Sequence, residues 1–144
     1  MKLEHILIPI DFSDSSQVAI DYAVTLRAHF PSNVTLLHVI EPFLGYGSEI
    51  SIIPADIDVD REDKSKARLK ELAALFDGGV PAKSVCLRGK PWHCICDWAA
   101  DNDVDLIIMP THGHSGLLHM WLGSVAERVV QKAPCPVLVV RSKA

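Results

Sequence analysis

The sequence carries no surplus of positive charge. Its 14 lysines and arginines are outnumbered by 18 aspartates and glutamates, for a net charge of −4. That argues against nonspecific nucleic-acid binding, which needs a basic surface. No apolar run approaches the length needed to span a bilayer. The start, MKLEHILIPIDFSD, has too short an apolar run and no small-residue cleavage site, so it does not read as a signal peptide. The four cysteines (Cys86, Cys94, Cys96 and Cys135) contain no CxxC pair, and the spacing of structural zinc is therefore missing. In a chain with a full core they read as reduced thiols of a cytoplasmic protein. Asp56, Asp58 and Asp60 mimic the first half of a calcium loop, but Arg61 stands where the glycine is required and Ala67 where the closing acid is. These acids read as a solvated loop. There is no Walker lysine and no evident residue to position an attacking water, so nothing in the residues supports phosphoryl-transfer catalysis.

What is present is the material of a folded domain. Of 144 residues, 49% are hydrophobic and 22% charged, which suggests one domain over 1–144 with a sizeable core. The organising stretch is DLIIMPTHGHSGLLHMWLGSV, from Asp105 to Val125. Leu106 to Met109 is an unbroken apolar run, as in a strand covered on both faces. Gly113 and Gly116 break it, and Gly123-Ser124 opens an amphipathic segment. A helix start leaves backbone N–H groups unpaired and carries partial positive charge, which suits an anion. The loop is either a phosphate site or a tight strand-to-helix turn.

In order along the chain, Ile6 to Ile10 reads as a first strand ending at Asp11, and Asp14 with Gln17 as a capping box before a helix carrying Val18, Ala19, Tyr22, Ala23 and Leu26 inward. Val34 to Ile40 is a second strand. Glu41 to Asp60 is irregular and long for a loop, as functional loops often are. A helix runs from about Asp60 until Asp77-Gly78-Gly79 stops it. Ser84 to Leu87 is a short third strand, Trp92 to Asn102 a helix, and Val137 to Val140 a fifth strand. Trp92, Trp98 and Trp121 read as packing residues. His93, Cys94 and Cys96 look metal-like, but residues two apart on a helix diverge. Arg88 and Lys90 read as a solvated turn rather than as phosphate ligands.

Strictly alternating strands and helices imply a parallel α/β sheet with helices on both faces. Ligands in such sheets lie outside the carboxyl ends of the strands, where the strand order reverses. Asp11 and the glycine loop both fall there. Asp11 would accept from a ribose hydroxyl or merely cap a turn. The last strand, with nothing after it to cover it, would lie on a sheet edge, and apolar edges pair. A homodimer along Val137 to Val140 is expected.

At this point the residues resemble the universal stress protein family over essentially the whole chain. The carriers are HILIPIDFSDSS, LLHVIEP, DVDLIIMPTHGHSGLLHMWLGSVAERVV and APCPVLVVR. The resemblance implies a doubly wound, Rossmann-like fold of the adenine nucleotide alpha hydrolase type, with strand order 3-2-1-4-5. It also implies a dimer through the last strand and, in one branch, ATP binding. That branch carries Gly, two residues, Gly, nine residues, Gly, then Ser or Thr. Gly113 matches the second glycine and nine residues separate it from Gly123-Ser124, but Pro110 stands at the first. Proline has no N–H and a fixed φ. AMP or ADP could therefore bind comparably to ATP, and the sequence leaves open whether magnesium accompanies the phosphates.

Carried over by position, Asp11 would face the ribose, while the Pro9–Ile10 backbone and Val39 would line the adenine pocket. His112, Gly113, His114, Ser115 and Gly116 would wrap the phosphates, and Gly123, Ser124 and Val125 would supply N–H groups and a hydroxyl. The expected function is a dimeric, adenine-nucleotide-binding sensor or switch in the stress response, the bound nucleotide changing either the Glu41–Asp60 loop or a surface for a downstream protein, because the phosphate loop lies beside that long irregular segment. The alternatives are a scaffold that binds no nucleotide, favoured by Pro110, and a weak ATP hydrolase.

Overall fold

The computed structural model describes residues 2–42, 55–76, 79–113 and 121–142. His114, Ser115 and Gly116, together with Asp77 and Gly78, lie outside the described residues, as does most of the irregular segment that begins at Glu41. Five strands and four helices alternate among the described residues: β1 (His5–Pro9), α1 (Asp14–His29), β2 (Asn33–Ile40), α2 (Ala55–Ala73), β3 (Lys83–Arg88), α3 (Pro91–Asp101), β4 (Leu106–Pro110), α4 (Ser124–Lys132) and β5 (Val137–Val140). The sheet is parallel throughout, in the order β3-β2-β1-β4-β5. The strand order therefore reverses at β1, between β2 and β4.

The central strands read as unbroken apolar runs because both of their faces are covered. Ile6, Leu7, Ile8, Ile107 and Ile108 are fully buried. With a side-chain period of two, alternate residues enter separate cores. On one face Ile6, Ile8, Leu36 and Ile108 pack with Ala19, Ile20 and Ala23 of α1 and Leu69 of α2. On the other, Leu7, Leu37, Ile107 and Met109 pack with Ile95 and Ala99 of α3 and Ala126 and Val129 of α4. Each such isoleucine or leucine contributes about 1.5–3 kcal/mol of burial free energy.

The pairing is uneven. β1 and β2 keep register over five residues, from His5↔Asn33 to Pro9↔Leu37, and β2 and β3 over six. β1 and β4 share only Ile6↔Leu106 and Leu7↔Ile107. Above that point both strands run into proline, at Pro9 and Pro110, which has no N–H to give. The seam between them stops pairing early, and the space above it is the crevice of the topological switch point.

Several local expectations need correction. α2 begins at Ala55, not near Asp60, and ends at Ala73, ahead of the expected stop. Asp56, Asp58 and Asp60 are therefore helical; acids near a helix start are stabilised by its dipole, so they favour the helix they were read as preceding. Phe76 still reaches the core, its N–H bonded to the Ala73 carbonyl in a turn. The capping box at Asp14 does not form. Ser13 is the N-cap without a side-chain cap bond, and Gln17 bonds Asp21 instead. Trp92 and Trp98 pack on the α3–α4 core, whereas Trp121 is 89% exposed, the inward place being taken by Leu122. Among the described residues no helix is long and apolar enough to cross a membrane.

Candidate functional site

A cleft of about 380 Å³ opens over the carboxyl ends of β2, β1 and β4. Every described residue that the sequence nominated lines it: Pro9, Ile10, Asp11, Val39, Pro110, His112, Gly113, Gly123, Ser124 and Val125. They come from β1, β2, β4 and the start of α4, so the sheet order brings them together.

Asp11 is the centre of the arrangement. Its Oδ1 accepts from the Ser13 N–H (2.9 Å), the Ser13 hydroxyl (2.6 Å) and the buried Ser16 hydroxyl (2.8 Å). Three donors on one oxygen fix the carboxylate's rotamer. They also explain why Ser13 does not cap α1, since its hydroxyl is already committed to Asp11. The tight path of the chain needs Phe12 in the left-handed region, φ 62°, an uncommon conformation for a non-glycine residue and one associated with functional sites. The other carboxylate oxygen, Oδ2, lies against Gly113. A Cβ built on Gly113 would overlap Oδ2 and come within 3.2 Å of Asp11 Cγ. Glycine is required here by close approach, and the Asp11 clamp prevents the neighbour from yielding.

The loop between β4 and α4 is tied at both ends. The Thr111 N–H donates to the Val140 carbonyl (3.0 Å), and the Gly123 N–H donates to the Thr111 carbonyl (2.7 Å). Gly123 is the N-cap of α4 and has no side chain to occupy the helix's first N–H groups. A Cβ there would meet the Thr111 carbonyl oxygen at 3.2 Å. The positive end of α4 thus faces the cleft beside Ser124 and next to His112 and Gly113. Backbone N–H groups, a hydroxyl and a helix start are suited to phosphate oxygens.

The opposite end of the cleft is apolar with a charged border. Leu37, Val39 and Ile40 of β2 line it with Pro91 and Ile95 of α3, and Glu41 and Arg61 add charge to the lining. His38 lies at the same end. Its Nδ1 is 2.7 Å from the Ile10 carbonyl and its ring is 4.5 Å from that of Phe12. Donation from Nδ1–H to that carbonyl leaves Nε2 as the acceptor of the neutral ring. Burial lowers the His38 pKa, partly offset by the bond to Ile10 and by Asp11, with Arg68 and Arg61 adding to the decrease. Arg68 in turn lies 4.1 Å over the Phe12 ring. His38, Phe12 and Arg68 therefore brace the turn that presents Asp11.

Arg61, His38 and Glu41 were not singled out in the sequence. Arg61 had no local motif, because it reaches the cleft from the second turn of a helix that packs on β2 and β3. A histidine near the carboxyl end of a central strand was a signal that could have been used. Arg88, read as a solvated turn, instead pairs with Asp58 and with Glu62 (2.6 Å) of α2, because α2 starts early enough to bring those acids alongside it. Neither Arg88 nor Lys90 lines the cleft. Burial pushes all four thiols above their ordinary pKa, which makes them poor nucleophiles and poor metal ligands.

A scan against family models matches residues 2–141 to the universal stress protein family. The chain belongs to the universal stress protein family. Among its relatives, the family member YxiE of Bacillus subtilis is 36% identical over 143 residues, covering 94% of this chain and 97% of that one. The solved structure of MJ0577, a family member from Methanocaldococcus jannaschii, superposes with a TM-score of 0.81 at 30% identity, over 99% of each chain. The family member UspA from Lactobacillus plantarum superposes with a TM-score of 0.78 at 26% identity, over 98% of this chain and 99% of that one. The expected Rossmann-like fold and strand order are those of the family.

Proposed function

We propose that this universal stress protein binds an adenine nucleotide in the cleft over β2, β1 and β4. The observation that carries the reading is the contact between Asp11 and Gly113: a carboxylate clamped by three donors lies against a glycine that admits no side chain, beside the open start of α4. The phosphates would take the N–H groups of Gly113, Ser124 and Val125 and the Ser124 hydroxyl; the Gly123 N–H, expected to join them, is already given to the Thr111 carbonyl. Asp11 would take a ribose hydroxyl, and the apolar end would take the base. Two proteins of this fold are described in complex with cAMP and with dAMP; at 22% identity they carry the fold alone, and the reading here stands on the cleft. Among the described residues no group of three or more His, Cys, Asp or Glu could hold a metal ion.

Pro110 favours a second reading. It lines the cleft but has no N–H, so the phosphate end has one donor fewer than the signature with its three glycines would offer. A scaffold without nucleotide is the alternative, and AMP or ADP binding comparably to ATP is the intermediate case. Calorimetry with ATP, ADP and AMP, with and without magnesium, tests this on protein stripped of carried-over ligand. Binding that is lost in Asp11→Ala and Gly113→Val supports the nucleotide site. Absence of heat with any nucleotide in folded protein overturns it in favour of the scaffold.

The protein would act as a dimeric sensor or switch toward a downstream partner. β5 lies at the sheet edge, and Val137, Leu138 and Val139 are only half-buried. Pairing of two β5 edges would cover them; light scattering that shows only a monomer counts against it. Glu41, just after β2, and Arg61, in the second turn of α2, both line the cleft. Nucleotide would be felt there, and an unchanged limited-proteolysis pattern between them at saturating nucleotide counts against the switch.

A further inference from the structure

We propose that Arg61 is the residue of this site that reads the base, which rests on the nucleotide reading above. The argument begins with the sheet order. β2 and β4 flank β1 on opposite sides. Adjacent strands are about 4.8 Å apart, which places the ends of β2 and β4 roughly 10 Å from one another. The anion-binding groups sit on the β4 side, at Thr111 to Gly113 and the start of α4. Asp11 sits at the end of β1, in the middle. A nucleotide with its phosphates over β4 and its ribose at Asp11 has its base over the end of β2. That end is formed by Val39 and Ile40, and Arg61 reaches it from α2.

The charge arrangement leaves Arg61 available for such a contact. Asp58 is shared between two arginines. Its Oδ2 pairs closely with Arg88, while its Oδ1 approaches Arg61 only to 4.0 Å. Arg88 also holds Glu62, so the second turn of α2 is braced to the end of β3 and Arg61 is presented from a fixed helix. A guanidinium is flat, offers only donors and is weakly hydrated, and it stacks on aromatic rings. A heteroaromatic base, with a π-face and ring-nitrogen acceptors, matches it. Arg61 lines the cleft together with the aliphatic side chains Leu37, Val39, Ile40 and Ile95.

The test is calorimetry of wild type, Arg61→Ala and Arg61→Lys with AMP, followed by NMR of each complex at saturation. Arg61→Ala is expected to weaken AMP binding roughly tenfold, with Arg61→Lys recovering only part of the loss. In the saturated complexes the adenine H2 and H8 resonances should move between wild type and Arg61→Ala while the ³¹P resonance stays in place. A ³¹P shift with unmoved adenine protons overturns the assignment and makes Arg61 a phosphate ligand. Unchanged affinity and unchanged spectra overturn it as well, leaving Arg61 a bystander. Wild type that binds no AMP, ADP or ATP overturns the nucleotide reading itself, and the role of Arg61 with it. Matching thermal melts of the three proteins confirm that the variants are folded.

Discussion

On the β4 side of the cleft, the groups that would face a ligand are mostly backbone N–H groups, joined by the Ser124 hydroxyl and His112, and two hydrogen bonds at Thr111 and Gly123 hold the chain there. On the β2 side they are side chains, Arg61, His38 and Glu41, brought in from a strand end and from a helix packed outside it. The first wall tolerates almost no added volume, because backbone and a clamped carboxylate surround its glycines. The second can change residue by residue without disturbing the chain path. In the proposed complex, anchoring and discrimination would thus fall on different materials, the former on a rigid backbone and the latter on exchangeable side chains.

This contrast can be broken most sharply at Gly113. Gly113→Val forces a branched side chain into Asp11 and is expected to abolish nucleotide binding and to lower stability by about 3 kcal/mol, read from calorimetry and the urea midpoint. Asp11→Ala comes next. It removes the acceptor of the buried Ser16 hydroxyl and of Ser13, and a loss of about 2 kcal/mol is expected, again from the urea midpoint, along with loss of binding. If either variant bound AMP like wild type, the β4 wall would not be the anchor.

His38 tests the other wall through pH. Burial holds its folded pKa below the ordinary value of about 6.5, against Asp11, which raises it, and with Arg68 and Arg61, which lower it further. The unfolded chain therefore takes up the proton first as pH falls. The stability contributed by neutral His38 is fully present above about pH 6.5 and is lost progressively below it. The stability difference between wild type and His38→Gln should be constant above that pH and shrink on acidification. A flat difference down to pH 5 would show that His38 does not brace the Ile10 turn in its neutral form. The smallest effect is expected at Trp121, which is 89% exposed beside the β4 wall. Trp121→Ala should change stability by less than about 0.5 kcal/mol and remove the emission of a solvent-exposed indole.

The legibility of the two walls in the sequence follows the same division. The β4 wall is contiguous: an apolar run, glycines, and a helix start occupy neighbouring positions, and Gly113 and Gly123 could be matched at their spacing. Asp11 was legible because it ends a strand whose apolar run is unmistakable. Alternating elements implied the parallel sheet, and the family resemblance supplied its order. Arg61 was not legible, since its place depends on where α2 begins, and the alternating acids before it hid a helix inside what read as a loop. Trp121 was misjudged because nothing local says whether the tryptophan or Leu122 turns inward. The Asp14 cap failed because the helix starts one residue earlier than read, with Ser13 at the N-cap and Asp14 already in the first turn.

The short seam between β1 and β4 bears on how the molecule opens. Only two register pairs join the β3-β2-β1 half of the sheet to the β4-β5 half, whereas five and six join the strands within the first half. Ile8 and Ile108, one position beyond the last register pair, are both fully buried in the same core. Native-state amide hydrogen exchange should therefore divide the sheet there, the amides of β4 and β5 sharing one opening free energy and those of β1 to β3 a higher one. The line that makes room for a ligand would then also be the line along which the fold first comes apart.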